Sequence, residues 1–271
     1  SDVYKRQELK GSNYRSYITV NPFIIFGPLG AVIVGLLSIA LWKARSNTDI
    51  RYFLLGGLVW IIAIAPKLIM DYTLTLGLSS WARDTYGVTG MLIILGIYIG
   101  LRTGLFECGF TFLVFSRTSL KNASLKEAIA LGVGFGAFEA ILIGLPSLMQ
   151  IVTFTLNPSL LESLPPAQKE MIESSLNSPT WIAVVPLIER TFTLFAHIFA
   201  ALLVYISATQ CKPSFLFAAI LYKTTLDALV PYIQTIINVS MPITFLEAEA
   251  WIIIMGVLAL AGTIHLRKTY Q

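Results

Sequence analysis

Charge is scarce in this sequence. Only 13% of its 271 residues are Asp, Glu, Lys or Arg, against 56% apolar residues and a mean hydropathy of +0.75. A chain with so little charged surface cannot solvate itself as an ordinary soluble domain. Cysteine is nearly absent: Cys108 and Cys211 fall in or near different apolar stretches and form neither a CxxC pair nor a disulfide framework. Histidine is equally sparse, with His197 and His265 alone, and one histidine among carboxylates is a far weaker zinc signature than HExxH. No basic patch with interleaved aromatics is present, which argues against a nucleic-acid partner. There is no period of roughly 20 to 50 residues and no low-complexity tract. Neither inverted repeats nor paired Gly/Pro-broken spans are evident, which disfavours a transporter.

What remains is apolar runs. Residues 181–209, WIAVVPLIERTFTLFAHIFAALLVYISAT, exceed the length of about 20 residues that a membrane helix needs, yet carry Glu189, Arg190 and His197. Arg190 and His197 stand two helical turns apart, so they share a face that belongs toward protein rather than lipid. Further spans read at 20–42, 52–76, 88–116, from 124 until Pro146 interrupts the run, 214–235 and 249–265. The expectation is an all-α, polytopic membrane bundle of about seven helices. It forms a single transmembrane domain over 18–271 with core spans in 88–235, behind a polar tail at 1–17. The opening SDVYKRQ resembles translated adapter read-through and carries no fold signal. Residues 79–87, SSWARDTYG, read as a short polar connection, and the third run is long enough to be tilted or broken. Ser124 with Glu127 forms a capping-box pattern. Gly132, Gly134 and Gly136 in the fourth span point to close approach of neighbouring helices. Residues 157–179 form one long polar loop lying on the membrane surface, and His265 reads as interfacial.

Seven spans fix a sidedness. Loops after spans one, three and five, together with the C-terminus, hold Lys43, Arg45, Arg51, Arg117, Lys121, Lys126, Lys212, Arg267 and Lys268. The alternate loops hold only Arg83 and Lys169. The basic side, including the C-terminus, is therefore expected in the cytoplasm, although Lys10 and Arg15 in the tail fit that rule badly.

Counted from the cytoplasmic ends, Glu107, Glu139, His197, Lys223 and Asp227 come out at one level, roughly 14 to 20 Å deep. Lys67 and Arg102 lie deeper, and Glu189 and Arg190 lie near the outer face. Four cations (Lys67, Arg102, Arg190, Lys223) match four anions (Glu107, Glu139, Glu189, Asp227), as the cost of isolated charge in hydrocarbon demands. Two readings of this layer are open. In one, Lys223 and Asp227 pair at i,i+4 and the rest neutralise one another. In the other, carboxylates and an imidazole meet in a dry pocket and supply a general base, a proton shuttle or metal ligands.

The order GLFECGFTFLVF, LKEAIALGVGFGAFEAILIG, PLIERTFTLFAHIFAALLVY and AAILYKTTLDALV resembles the YhfC family of intramembrane proteases, distantly similar to type II CAAX prenyl endopeptidases and PrsW proteases. It spans roughly residues 88–229. The resemblance implies a prokaryotic plasma-membrane enzyme acting on a membrane peptide or protein amid lipid. It gives Glu107, Glu139, His197 and Asp227 as catalytic candidates, with Arg102, Glu189, Arg190 and Lys223 in support. A divalent metal such as zinc is the implied cofactor, with His197 and Asp227 as its candidate ligands. Three positions depart from the wider pattern: Cys108 stands where a second glutamate is expected, Thr111 where an arginine is, and Phe135 where a histidine is. Lys223 occupies the place of another histidine. Cys108, Thr111 and Phe135 cannot replace an acid, a cation and an imidazole. The expectation is thus a peptidase of weak or altered activity, and the alternative is a noncatalytic relative that binds a membrane peptide or partner.

Overall fold

The computed structural model describes residues 21–238, 241 and 243–270, so the polar tail expected at 1–17 lies outside the described residues. Among the described residues the chain is helical throughout, with no strand. The α-helices are α1 (Phe26–Ser46), α2 (Ile50–Met70), α3 (Leu76–Arg117), α4 (Leu125–Leu156), α5 (Pro166–Leu176), α6 (Val184–Gln210), α7 (Pro213–Ala228), α8 (Val230–Ile236) and α9 (Ile243–Tyr270).

Among the described residues six helical stretches are long and apolar enough to cross a membrane, and one of them, Ile50–Arg117, contains 68 residues. At 1.5 Å per residue that is about 100 Å, three times a hydrocarbon core, so it cannot be a single pass. It folds back at Gly87, whose φ of 70° and ψ of −173° break α3 internally. This is backbone space open essentially to glycine. Pairs bridging the two arms straddle that residue: Lys67 with Glu107, Asp71 with Arg102, Thr75 with Tyr98 and Ser79 with Met91. The chain therefore makes about seven passes, as expected. The connection anticipated at 79–87 is not a loop but helix up to the Gly87 break.

Helix ends follow local chemistry. Asn47 closes α1 in the left-handed conformation, φ 53°, with its N–H donating to the Lys43 carbonyl at 2.9 Å. Asp49 caps α2 by accepting from the Arg51 N–H at 3.0 Å. The Ser124–Glu127 capping box forms in both directions. Pro146 does not end the fourth span: α4 runs through it to Leu156, and the Ser147 hydroxyl donates to the Ile143 carbonyl at 3.2 Å in that turn. The polar segment after α4 is ordered as a 3-10 turn (Pro158–Ser163) and α5, anchored by Leu161 and Leu176 against Ile24.

Helices α4 and α6 form the centre. Against α4 pack α1, α2 and α6; against α6 pack α9, α4 and α7; and α3 pairs with α7. The seams are made by glycine, as expected for the fourth span. Gly134 lies against the Phe53 main chain, and reciprocally Gly56 lies against the Leu131 carbonyl. Gly132 and Gly136 face α6, where an added Cβ would come within 2.9 Å of Ile198 Cα and Leu194 Cδ1 respectively. In a bilayer, where apolar burial gives no drive between helices, such close backbone approach is what holds them together.

Candidate functional site

A second glycine row places the site. Gly96, Gly100 and Gly104 stand four apart on one face of α3 and abut the carbonyls of Ala228, Thr224 and Ile220 on α7. A Cβ at Gly104 would sit 2.6 Å from the Ile220 oxygen. Main chain against main chain, α7 is held close enough that Lys223 reaches Glu107, one turn beyond Gly104.

Glu107 is the hub, buried at 5% exposure together with His197 at 5% and Lys223 at 3%. Its Oε1 accepts from Lys67 Nζ at 2.6 Å, and its Oε2 lies 2.8 Å from Lys223 Nζ. The second contact is an ion pair rather than an aligned hydrogen bond, so among the described residues Oε2 retains acceptor capacity. His197 Nδ1 lies 3.5 Å from Lys223 Nζ and 3.9 Å from Glu107 Oε2. Its Nε2 lies 3.0 Å from Glu139 Oε2. A carboxylate at Nε2 and an ammonium beside Nδ1 together favour the tautomer with the proton on Nε2, leaving the Nδ1 lone pair facing Lys223. Phe135 stacks obliquely on the imidazole, with ring centroids 4.7 Å apart, and Thr111 turns its hydroxyl inward to the Glu107 carbonyl at 2.7 Å.

Glu139 anchors a second group. It accepts from Trp60 Nε1 at 2.9 Å and from Arg190 at 2.8 Å, and Arg190 also pairs with Glu189. Arg102 binds Asp71 at 2.7 and 3.2 Å and the Lys67 carbonyl at 3.1 Å. That brace sits where α2 passes into a π-turn, Asp71–Thr75.

Two cavities result. Glu107, Cys108, Phe135, His197 and Lys223 line one of about 10 Å³, the volume one water needs. Glu139 and Asp227 instead line a larger one of about 420 Å³ toward the α5 end. Of the four principal candidates, then, Glu107, Glu139 and His197 are linked side by side. Asp227 stands with Glu139 at the second cavity rather than in one space shared by all four. Lys223 and Asp227 attract each other at i,i+4, but the close contact of Lys223 Nζ is with Glu107.

Sequence reasoning placed Lys67 among the buried charges but missed its bond to Glu107, and missed Trp60 altogether. Trp60 and Lys67 are seven residues apart on α2, the spacing that made Arg190 and His197 conspicuous on α6. A buried indole N–H also requires an acceptor.

No curated protein and no solved structure matches this chain. A family model does, described as YhfC intramembrane metalloprotease, over residues 30–246. That span contains every residue of both cavities except Ala248, Glu249, Trp251 and Ile252. On a match across most of its length, joined to a polytopic bundle with buried carboxylates and an imidazole in contact, this integral membrane protein belongs to the YhfC intramembrane metalloprotease family.

Proposed function

We propose that the chain hydrolyses a membrane-embedded peptide at the Glu107 cavity, with Lys223 as its built-in cation. One observation carries the reading: Glu107 Oε2, His197 Nδ1 and Lys223 Nζ meet within 2.8 to 3.9 Å at a water-sized space. Glu107 takes the proton of a water held there as the water oxygen attacks the peptide carbonyl carbon. The Lys223 ammonium faces the oxyanion that forms. The proton then passes to the departing amine by way of His197, which Glu139 and Trp60 keep oriented.

The family description implies a metal, and the residues present do not fit one. His197 faces Glu139 with one nitrogen and an ammonium with the other, while Glu107 faces two ammonium groups. Among the described residues no three His, Cys, Asp or Glu side chains gather as a ligand set. A divalent ion at Nδ1 would have to share that nitrogen's surroundings with the Lys223 ammonium, whose Nζ stands 3.5 Å from it, and no step here runs through a metal.

A noncatalytic reading has its own support: both Glu107 oxygens are engaged by ammonium groups, and the cavity holds no more than a water. Purified protein in lipid nanodiscs, given a quenched fluorogenic membrane peptide, separates the two. Slow cleavage is expected, falling about 10² to 10³-fold in Glu107→Gln and in His197→Ala and persisting in a strong chelator. Cleavage that survives both substitutions removes this site assignment, and loss on chelation removes its metal independence. Wild-type inactivity with peptide binding intact selects the noncatalytic reading.

The alternation of basic loops supports a cytoplasmic C-terminus. An impermeant thiol reagent applied outside is expected to label Ser163→Cys and spare Asn122→Cys, and the reverse pattern inverts the topology.

A further inference from the structure

The balance of four buried cations and four anions does not survive the structure. Asp71 joins the set as the partner of Arg102, and Glu249 on α9 enters it as a buried side chain at 7% exposure. Six carboxylates now face Lys67, Arg102, Arg190 and Lys223. The excess gathers at the larger cavity, about 420 Å³, whose wall carries Glu139, Glu189, Asp227 and Glu249 against the single guanidinium of Arg190. Arg190 is already committed to Glu139 and Glu189. Glu249 lines this cavity, and among the described residues its buried Oε2 has no hydrogen-bond partner.

An unpartnered carboxyl oxygen in a low-dielectric site is expensive, and a carboxylate there requires a cation or a proton. The same lining also carries apolar and aromatic side chains, among them Val230, Ile233, Phe245 and Trp251. Such a surface suits the alkyl stem of a long cationic side chain whose head reaches the carboxylates. Trp251 is fixed there by its N–H to the Leu226 carbonyl at 3.1 Å.

We infer that this cavity receives the cationic side chain, lysine or arginine, of a membrane-inserted peptide, with Glu249 as the principal counter-ion. The inference rests on the peptidase reading only for the peptide. It names the substrate class: hydrophobic segments bearing one basic residue. Glu139 joins the two spaces, hydrogen-bonded to His197 on one side and lining the basic-residue cavity on the other.

The test measures binding in nanodiscs on the Glu107→Gln variant, so that it is independent of turnover. The probes are two dye-labelled, end-blocked polyleucine peptides alike except for one lysine or norleucine near the end facing the α5 side, with free butylamine as competitor. The lysine peptide is expected to bind about tenfold or more tightly, since norleucine would leave the buried Glu249 carboxylate without a counter-charge, which costs at least that factor. Glu249→Gln is expected to bring the two peptides within about threefold of each other. Glu249→Lys is expected to transfer the preference to a glutamate-bearing twin, an outcome that a misfolded variant cannot produce. Equal binding of the two peptides to the parent protein overturns the proposal, as does a lysine preference untouched in both Glu249 variants. Full displacement of the lysine peptide by butylamine at equal concentration assigns the cavity to small amines and overturns the peptide part.

Discussion

The two arms of the α2–α3 hairpin and the α2–α4 seam are both helix pairs in the same bilayer, and they differ in what brings them together: ion pairs in the first, glycine contacts in the second. Between the arms the contacts are polar rungs, Lys67 with Glu107 and Asp71 with Arg102 at 2.6 and 2.7 Å. Between α2 and α4 main chain presses on main chain through Gly56 and Gly134, with no ion pair among the described residues and the Trp60 N–H to Glu139 at 2.9 Å lying beyond the glycines. Charge permits spacing and leaves room for a site. Glycine removes spacing and fixes where the site's helices stand. One region is chemistry held apart, and the other is geometry held together.

The comparison breaks most severely at Glu107. Its removal by Glu107→Ala strands two buried ammonium groups and is expected to cost about 3 to 5 kcal/mol. Unfolding of the detergent-solubilised protein measures it, and a loss below about 1 kcal/mol would show that the rungs do not hold the arms. Gly134→Val comes next, at the upper end of the about 1 to 3 kcal/mol typical of overpacking, because the Phe53 backbone it meets cannot turn aside as a side chain would. A variant as stable as the parent would refute the seam. Gly87→Ala sharpens the picture at the hairpin turn: nothing lies within 4 Å of an added Cβ there, so the whole effect is backbone strain at φ 70°. It is expected to cost on the order of 1 to 3 kcal/mol, and Gly77→Ala, equally open but outside the turn, serves as its null control. Smallest is Asp71→Asn. With its side chain 43% exposed, the outer rung is worth no more than about 1 kcal/mol, and a larger loss would place it functionally with Glu107.

The passes, the capping box at Ser124 and the close approach at Gly132, Gly134 and Gly136 were legible in the sequence because each rests on neighbours within a few turns. The pairings were not. Lys67 meets Glu107 across 40 residues and Arg190 meets Glu139 across 51, and the depth count, which set Lys67 deeper than Glu107 and Arg190 nearer the outer face than Glu139, chose neither partner. Lys223 illustrates the cost: its sequence neighbour Asp227 offered a pair, and tertiary packing added Glu107 as the closer partner. The four-residue spacing of Gly96, Gly100 and Gly104 was present to be read, and it is the feature that selects α7 as the partner of α3. Glu249 stood at the edge of the last span and looked like a boundary marker. Its burial follows from α9 packing on α6, which no local pattern announces.

The glycine row on α3 also settles what can move. With three carbonyls of α7 seated directly on α3, the two helices behave as one stiff beam, and Glu107 and Lys223 ride on it together. Their separation is then expected to change little when a chain enters the bundle. His197 rides on α6, across a different joint. Any strain an incoming chain applies is therefore taken up between imidazole and carboxylate, the 3.9 Å gap between Nδ1 and Oε2, which makes that gap the adjustable part of the site.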